Sequence, residues 1–98
     1  MQIPQATVPF APENLAATSS RRSVTLTWTK PNDGGAPLTE YRVTMMQGST
    51  TRVYIVSAAN TSALIRNLKT GKIYSFMVSA VNSVGESAPS SSVTITVR

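Results

Sequence analysis

The stretch NLKTGKIYSFMVSAVNSVGES, residues 67–87, sets a turn, KTGK at 69–72, directly before an alternating run. Tyr74, Phe76, Val78 and Ala80 share one phase, and Ser75, Met77, Ser79 and Val81 share the other. Such period-two patterning marks a β-strand with one buried face. A tyrosine at the start of that strand carries a chemical demand, because its ring suits a core while its hydroxyl needs a partner. A two-sheet antiparallel sandwich meets the demand at a corner: a tyrosine opening the penultimate strand folds inward, and its hydroxyl bonds backbone a few residues upstream. Leu68 would plug the bottom of the core and Gly71 would relax the turn. Tyr74 is therefore expected to donate its hydroxyl to the 68–71 segment.

Outward from this stretch the same logic repeats. SVTLTWT (23–29) places Val24, Leu26 and Trp28 on one face and Thr25, Thr27 and Thr29 on the other, a core face and a wet face. A shorter strand over 13–18 carries Leu15 and Ala17 in one phase. KPNDGGAP (30–37) reads as a loop, since Pro31 and Pro37 cannot donate to a ladder and Gly34 and Gly35 accept positive φ. TEYRVTMM (39–46) returns with Tyr41, Val43 and Met45 inward. TRVYIVSA (51–58) has no readable phase, because 53–56 is continuously apolar, and is expected at a sheet edge. In SALIRNL (62–68) Ala63 and Ile65 share a face, and SVTITV (92–97) sets Val93, Ile95 and Val97 against Thr94 and Thr96. The pattern predicts an all-β, seven-stranded, two-sheet antiparallel sandwich. Trp28, Tyr41, Leu68 and Tyr74 are its expected structural core.

Composition narrows the chemistry. The 98 residues suit one domain, long enough to bury about 60–70% of its unfolded surface without cross-links. There is no cysteine, which excludes disulfides and thiolate metal sites. No apolar run reaches the roughly 18 residues of a membrane span, so no direct membrane insertion is expected. The first 15 residues have neither the basic start nor the apolar core of a signal peptide. Histidine is absent and the carboxylates are Glu13, Asp33, Glu40 and Glu86, so neither a general base nor an activated serine is expected. The expectation is no enzyme, no cofactor and no metal; Asp33 beside two glycines reads as a turn. The sequon NTS makes Asn60 a candidate glycosylation site in a predicted loop. Met46, Tyr54, Met77 and Val81, on the presumed outward phases of neighbouring strands, form a candidate apolar contact patch.

From residue 9 to residue 98 the chain resembles a fibronectin type III domain. The resemblance rests on Pro12 before the first strand, Trp28, the segment PNDGGAPLTEYRV, the Leu68, Gly71 and Tyr74 corner, and AVNSVGESAPS, in that order and spacing. Residues 1–8, within the proline-rich MQIPQATVPFAP, are read as a linker. The family's corner often reads Leu-x-Pro-Gly, and Thr70 stands here in place of the proline. The 82–89 loop has no Arg-Gly-Asp and the chain has no Trp-Ser-x-Trp-Ser, so neither an integrin-binding nor a cytokine-receptor role carries over. The resemblance implies a non-catalytic structural or interaction module, a spacer or adhesion-type domain in a tandem array. Its partners would be other domains of the parent chain and further proteins; no nucleic acid is expected, because no aromatic is predicted beside the basic groups, and attraction between exposed charges is weak enough that the isolated domain is expected to be a monomer. It implies an extracellular or cell-surface setting, with an intracellular filament-associated protein as the alternative. A second alternative is an accessory module of a secreted carbohydrate-active enzyme.

Charge adds one feature. Nine Lys and Arg against four Asp and Glu give +5. The family's topology would gather Glu13, Asp33, Glu40 and Glu86 toward the pole where the chain enters. Arg21, Arg22, Arg52, Arg66, Lys69, Lys72 and Arg98 would gather toward the opposite pole, leaving Lys30 and Arg42 elsewhere. Such a polar module is expected to favour head-to-tail contact with its neighbours. Its basic pole, centred on Arg21, Arg22, Arg52, Arg66, Lys69 and Lys72, is a candidate site for anionic polysaccharide.

Overall fold

The computed structural model describes residues 5–98. Seven strands follow one another, β1 (Glu13–Ser20), β2 (Ser23–Thr29), β3 (Leu38–Gln47), β4 (Thr50–Ser57), β5 (Ser62–Ile65), β6 (Ile73–Asn82) and β7 (Val93–Thr96). They form two antiparallel sheets, ordered β1-β2-β5 and β4-β3-β6-β7. The alternation seen in the sequence appears as burial: Val24, Leu26 and Trp28 of β2 face Tyr41, Val43 and Met45 of β3 and Tyr74, Phe76, Val78 and Ala80 of β6 in one cluster. The strand expected over 13–18 continues to Ser20, and its pairing with β2 skips between Glu13 and Ala16, with Asn14 at φ 58°. One residue too many on the β1 side makes this a bulge, which bends the strand where the chain enters the sandwich.

The apolar run 53–56 is resolved by pairing. β4 is the edge strand of the four-stranded sheet, and its register sets Tyr54 opposite Val43 and Val56 opposite Tyr41. Directly opposed residues point to the same face. Tyr54 and Val56 therefore pack on the core, while Val53 and Ile55 are 56% and 61% exposed. Tyr54 does not belong to the outward patch expected of it, because the phase of an unbroken apolar run is decided by its partner strand rather than by the run itself.

Trp28, Tyr41, Leu68 and Tyr74 are all buried. At the corner the backbone N–H of Lys69 donates to the Tyr74 hydroxyl at 3.0 Å. The hydroxyl thus acts as acceptor, the reverse of the expected direction. Gly71, at φ 84°, turns the chain so that its N–H reaches the carbonyl of Val97. The rings of Trp28 and Tyr41 meet edge to face, centroids 5.2 Å apart and planes at 65°. Neither the indole N–H nor the Tyr41 hydroxyl has a hydrogen-bond partner among the described residues. Burial pushes the Tyr41 pKa up, and the nearby indole N–H opposes this without closing a bond of good geometry.

The N-terminal segment is fastened to the loops around it. Of the linker expected over 1–8, residues 1–4 lie outside the described residues, and the Thr7 N–H donates to Gly34 O at 2.9 Å. The Asn82 amide, 4% exposed, donates to Thr7 O and Asp33 O, both at 2.8 Å, and its Oδ1 accepts from the N–H groups of Val84 and Gly85. Gly34 adopts φ 75°, and a Cβ there would lie 2.5 Å from Thr7 O and 2.6 Å from Val8 O. Only a glycine lets the 30–37 loop touch this segment.

Candidate functional site

Three surfaces follow from the two sheets. The first is the outer face of the four-stranded sheet. Cross-strand register places Val53 beside Thr44 and Met77, and Thr51 beside Met46 and Ser75. Val53, Met46 and Met77 thus form an apolar strip on that face, with Val53 in the place expected for Tyr54. Ile55 and Val81 do not join it. Ile55 stands opposite Arg42, Val81 stands opposite Glu40, and the Arg42 ion pairs run between them.

The second surface is the pole where the chain enters. There β1 begins opposite the end of β2, and Leu38 of β3 pairs with Asn82 of β6. The carboxylates gather on this side of the molecule, and Glu40, Glu86 and Asp33 are engaged while Glu13 is exposed. Arg42 Nε donates to Glu40 at 2.9 Å and Arg42 Nη1 to Glu86 at 3.2 Å. The Ser79 hydroxyl donates to the second oxygen of Glu86. The Glu40 carboxylate, with Glu86 behind it, raises the Arg42 pKa above its ordinary value, against some desolvation. Asp33 Oδ1 accepts the Gly35 N–H at 2.9 Å, a local turn. Asn60 is exposed in the turn after β4.

The third surface is the opposite pole. Ser20 pairs with Ser23, Gln47 with Thr50 and Ile73 with Thr96 at this end, and backbone bonds from Arg22 to Arg98, Leu68 to Arg22 and Gly71 to Val97 knit its turns together. Arg21, Arg22, Arg52, Arg66, Lys69, Lys72 and Arg98 are all exposed here. The ion pairs among the described residues are those of Arg42, so none of these seven cations is matched there by a carboxylate. One is engaged structurally, since Arg22 Nε donates to Leu68 O at 3.3 Å. Between the sheets a groove of about 370 Å³ opens, with Met45, Tyr54, Leu68 and Tyr74 beneath it. Its rim carries Gln47, Thr50 and Arg52 on one side and Arg66, Asn67 and Lys69 on the other. A shallower depression of about 270 Å³ lies on the three-stranded side, lined by Arg21, Arg22, Ser23, Leu64, Arg66 and Asn67. Arg66 and Asn67 belong to both.

The sequence pointed to these cations but not to the groove, nor to Gln47 and Asn67. Asn67, at φ 61°, is a non-glycine residue in the left-handed region just before the corner, a conformation that asparagine tolerates. No group of three or more acidic, histidine or cysteine side chains comes together among the described residues. No helix among them is long and apolar enough to cross a membrane.

A seven-stranded sandwich ordered β1-β2-β5 and β4-β3-β6-β7, closed by a tyrosine corner, defines the class. The chain belongs to the fibronectin type III domain family, whose model matches residues 10–96. It is 35% identical over 85 residues to mouse protein sidekick-2, covering 81% of this chain and 4% of that one. It is 36% identical over 90 residues to the human protein called cell adhesion molecule-related/down-regulated by oncogenes, covering 86% of this chain and 7% of that one. A crystal structure of three domains from titin superposes with a TM-score of 0.79 at 36% identity, over 93% of this chain and 32% of the titin chain. The chain thus spans a small fraction of the length of the relatives it matches.

Proposed function

We propose that this domain is a non-catalytic spacer and interaction module in a tandem array, within a larger adhesion-type protein at the cell surface. The observation that carries the reading is the placement of the two chain ends. The segment at Thr7 is hydrogen-bonded among the loops of one pole, and Arg98 is held among the turns of the other. The body between them has principal extents of 58 × 24 × 18 Å. Such a module adds length between neighbours and carries tension through hydrogen bonds that close both sheets. Catalysis is not part of the reading, since no histidine is present and Glu40, Glu86 and Asp33 are engaged with Arg42 or with turn backbone, which leaves Glu13 as a lone exposed carboxylate. The relationship to a cell adhesion molecule-related protein supports the adhesive setting.

Pulling the parent protein from its ends tests the spacer reading. This domain should unfold in one discrete event, releasing about 290 Å of chain, from 98 residues at roughly 3.6 Å each less the folded extent of 58 Å. Gradual extension without such an event would reject it. Sedimentation of the isolated chain should show a monomer. Deleting residues 9–98 from the parent should weaken cell–cell adhesion, and undiminished adhesion would remove the adhesive part of the proposal.

A further inference from the structure

We infer that the groove at the basic pole is a binding track for a linear sulfated polysaccharide, with Arg52, Arg66 and Lys69 as its charge contacts. This goes beyond the spacer reading, since it assigns a ligand class and an address on the surface. Seven exposed cations at one end of a small domain repel one another and raise the potential there. Among the described residues nothing offsets them, because the ion-paired carboxylates serve Arg42 toward the other end of a body 58 Å long. Screening acts over about 8 Å at physiological ionic strength, so the two poles are electrically independent.

A neighbouring copy does not supply the missing counter-charge well. Glu40 and Glu86 are already bridged by Arg42, and Asp33 holds the Gly35 N–H, which leaves Glu13 as the acid without such an engagement. Head-to-tail docking would have to break those pairs. An external polyanion needs no such exchange.

The shape selects among polyanions. The main groove, at about 370 Å³, falls at the small end of the roughly 300–1,000 Å³ typical of ligand sites, room for a short segment of chain. Arg66 and Asn67 line both this groove and the second depression beside Arg21, which offers a linear chain a second concave surface next to the first. Arg52 and Arg66 can each meet a sulfate with paired N–H donors, and Lys69 adds a point charge. The side-chain amides of Gln47 and Asn67 offer donors and acceptors for sugar hydroxyls. The half-buried Tyr54 gives a ring edge for the apolar face of a sugar. Tyr74, 5% exposed and bonded to Lys69, is too deep to stack a base, which disfavours a single-stranded nucleic acid.

Titration of the 98-residue chain with a heparin-derived hexasaccharide at about 0.15 M salt tests the inference, with oligo-dT and polyglutamate of equal charge as comparison probes. Binding is expected for the hexasaccharide and at least tenfold weaker for the other two. Amide shifts should centre on residues 52, 54 and 66–69. The R52E/R66E variant should lose about tenfold in affinity, and K30E, at the entry pole where β2 ends, no more than about twofold. If R52E/R66E lowers the melting temperature, R52Q/R66Q replaces it and should lose affinity in the same order. Absence of hexasaccharide binding, equal binding of oligo-dT or polyglutamate, or an equal loss in K30E would each overturn the track. None of these outcomes depends on how the parent extends under force, so the inference and the spacer reading fail separately.

Discussion

The backbone N–H of Lys69 donates to the hydroxyl of Tyr74, five residues on, at 3.0 Å. The bond ties the turn before β6 to the ring that begins the strand's buried face. Tyr74→Phe keeps the packing and strands the Lys69 N–H, so it should destabilise by about 1 to 3 kcal/mol. A urea midpoint equal to that of the parent domain would show that water replaces the hydroxyl and that the corner contributes nothing.

Tyr41→Phe should behave in the opposite way. Its hydroxyl is fully buried with no partner among the described residues, so removing it relieves a desolvated polar group and should leave stability unchanged or raised. The pH dependence has a definite sign. The folded pKa of Tyr41 lies above its ordinary value of 10.0, so the unfolded chain releases this proton first. Stability is fully present below about pH 10 and declines as pH rises from there toward the folded value. Thermal melts between pH 9 and about 11 should fall less steeply in Tyr41→Phe than in the parent. Identical slopes would remove Tyr41 as the source.

Trp28→Ala should cost about 3 to 5 kcal/mol by leaving a cavity against Tyr41. A loss below about 1 kcal/mol, measured by urea unfolding, would mean that the core collapses into the space.

Two glycine substitutions separate conformational strain from collision. At Gly48, with φ 60°, a Cβ would meet nothing within 4 Å, so Gly48→Ala should cost only the left-handed backbone, about 1 kcal/mol. Gly34→Ala adds a clash with Thr7 O and Val8 O. It should cost more than about 2 kcal/mol or release the N-terminal segment, seen as faster hydrogen exchange at the Thr7 amide. Unchanged exchange with a cost equal to that of Gly48→Ala would show that the segment moves aside freely.

Chelation should have no effect. No cluster of metal-ligating side chains exists among the described residues, so EDTA should leave the melting temperature unchanged. A shift of several degrees would reveal a site built from backbone oxygens.

Most of the fold was legible because alternation is a local property. Val24, Leu26 and Trp28 could be assigned to one face from β2 alone, and Tyr74 announced the corner before any partner strand was known. The same local signal is silent wherever it is uniform. The run 53–56 is apolar in both phases, so only its pairing with β3 could turn Tyr54 inward and Val53 outward. Charges could be sorted by pole once the topology was assumed, but not by engagement. That Arg42 bridges Glu40 and Glu86 depends on the packing of β3 beside β6, which brings Glu86 to Arg42 from 44 positions away along the chain. Asn82 stands at the start of the loop expected over 82–89, and its hold on Thr7 across 75 positions exists only when the N-terminal segment and the 30–37 loop are brought together. Sequence determines which side chains must be hidden, because hydrophobic burial follows from residue type and period. Tertiary structure decides which polar groups meet, because a hydrogen bond or ion pair needs two partners within a few ångströms, and only the closed sandwich sets those distances.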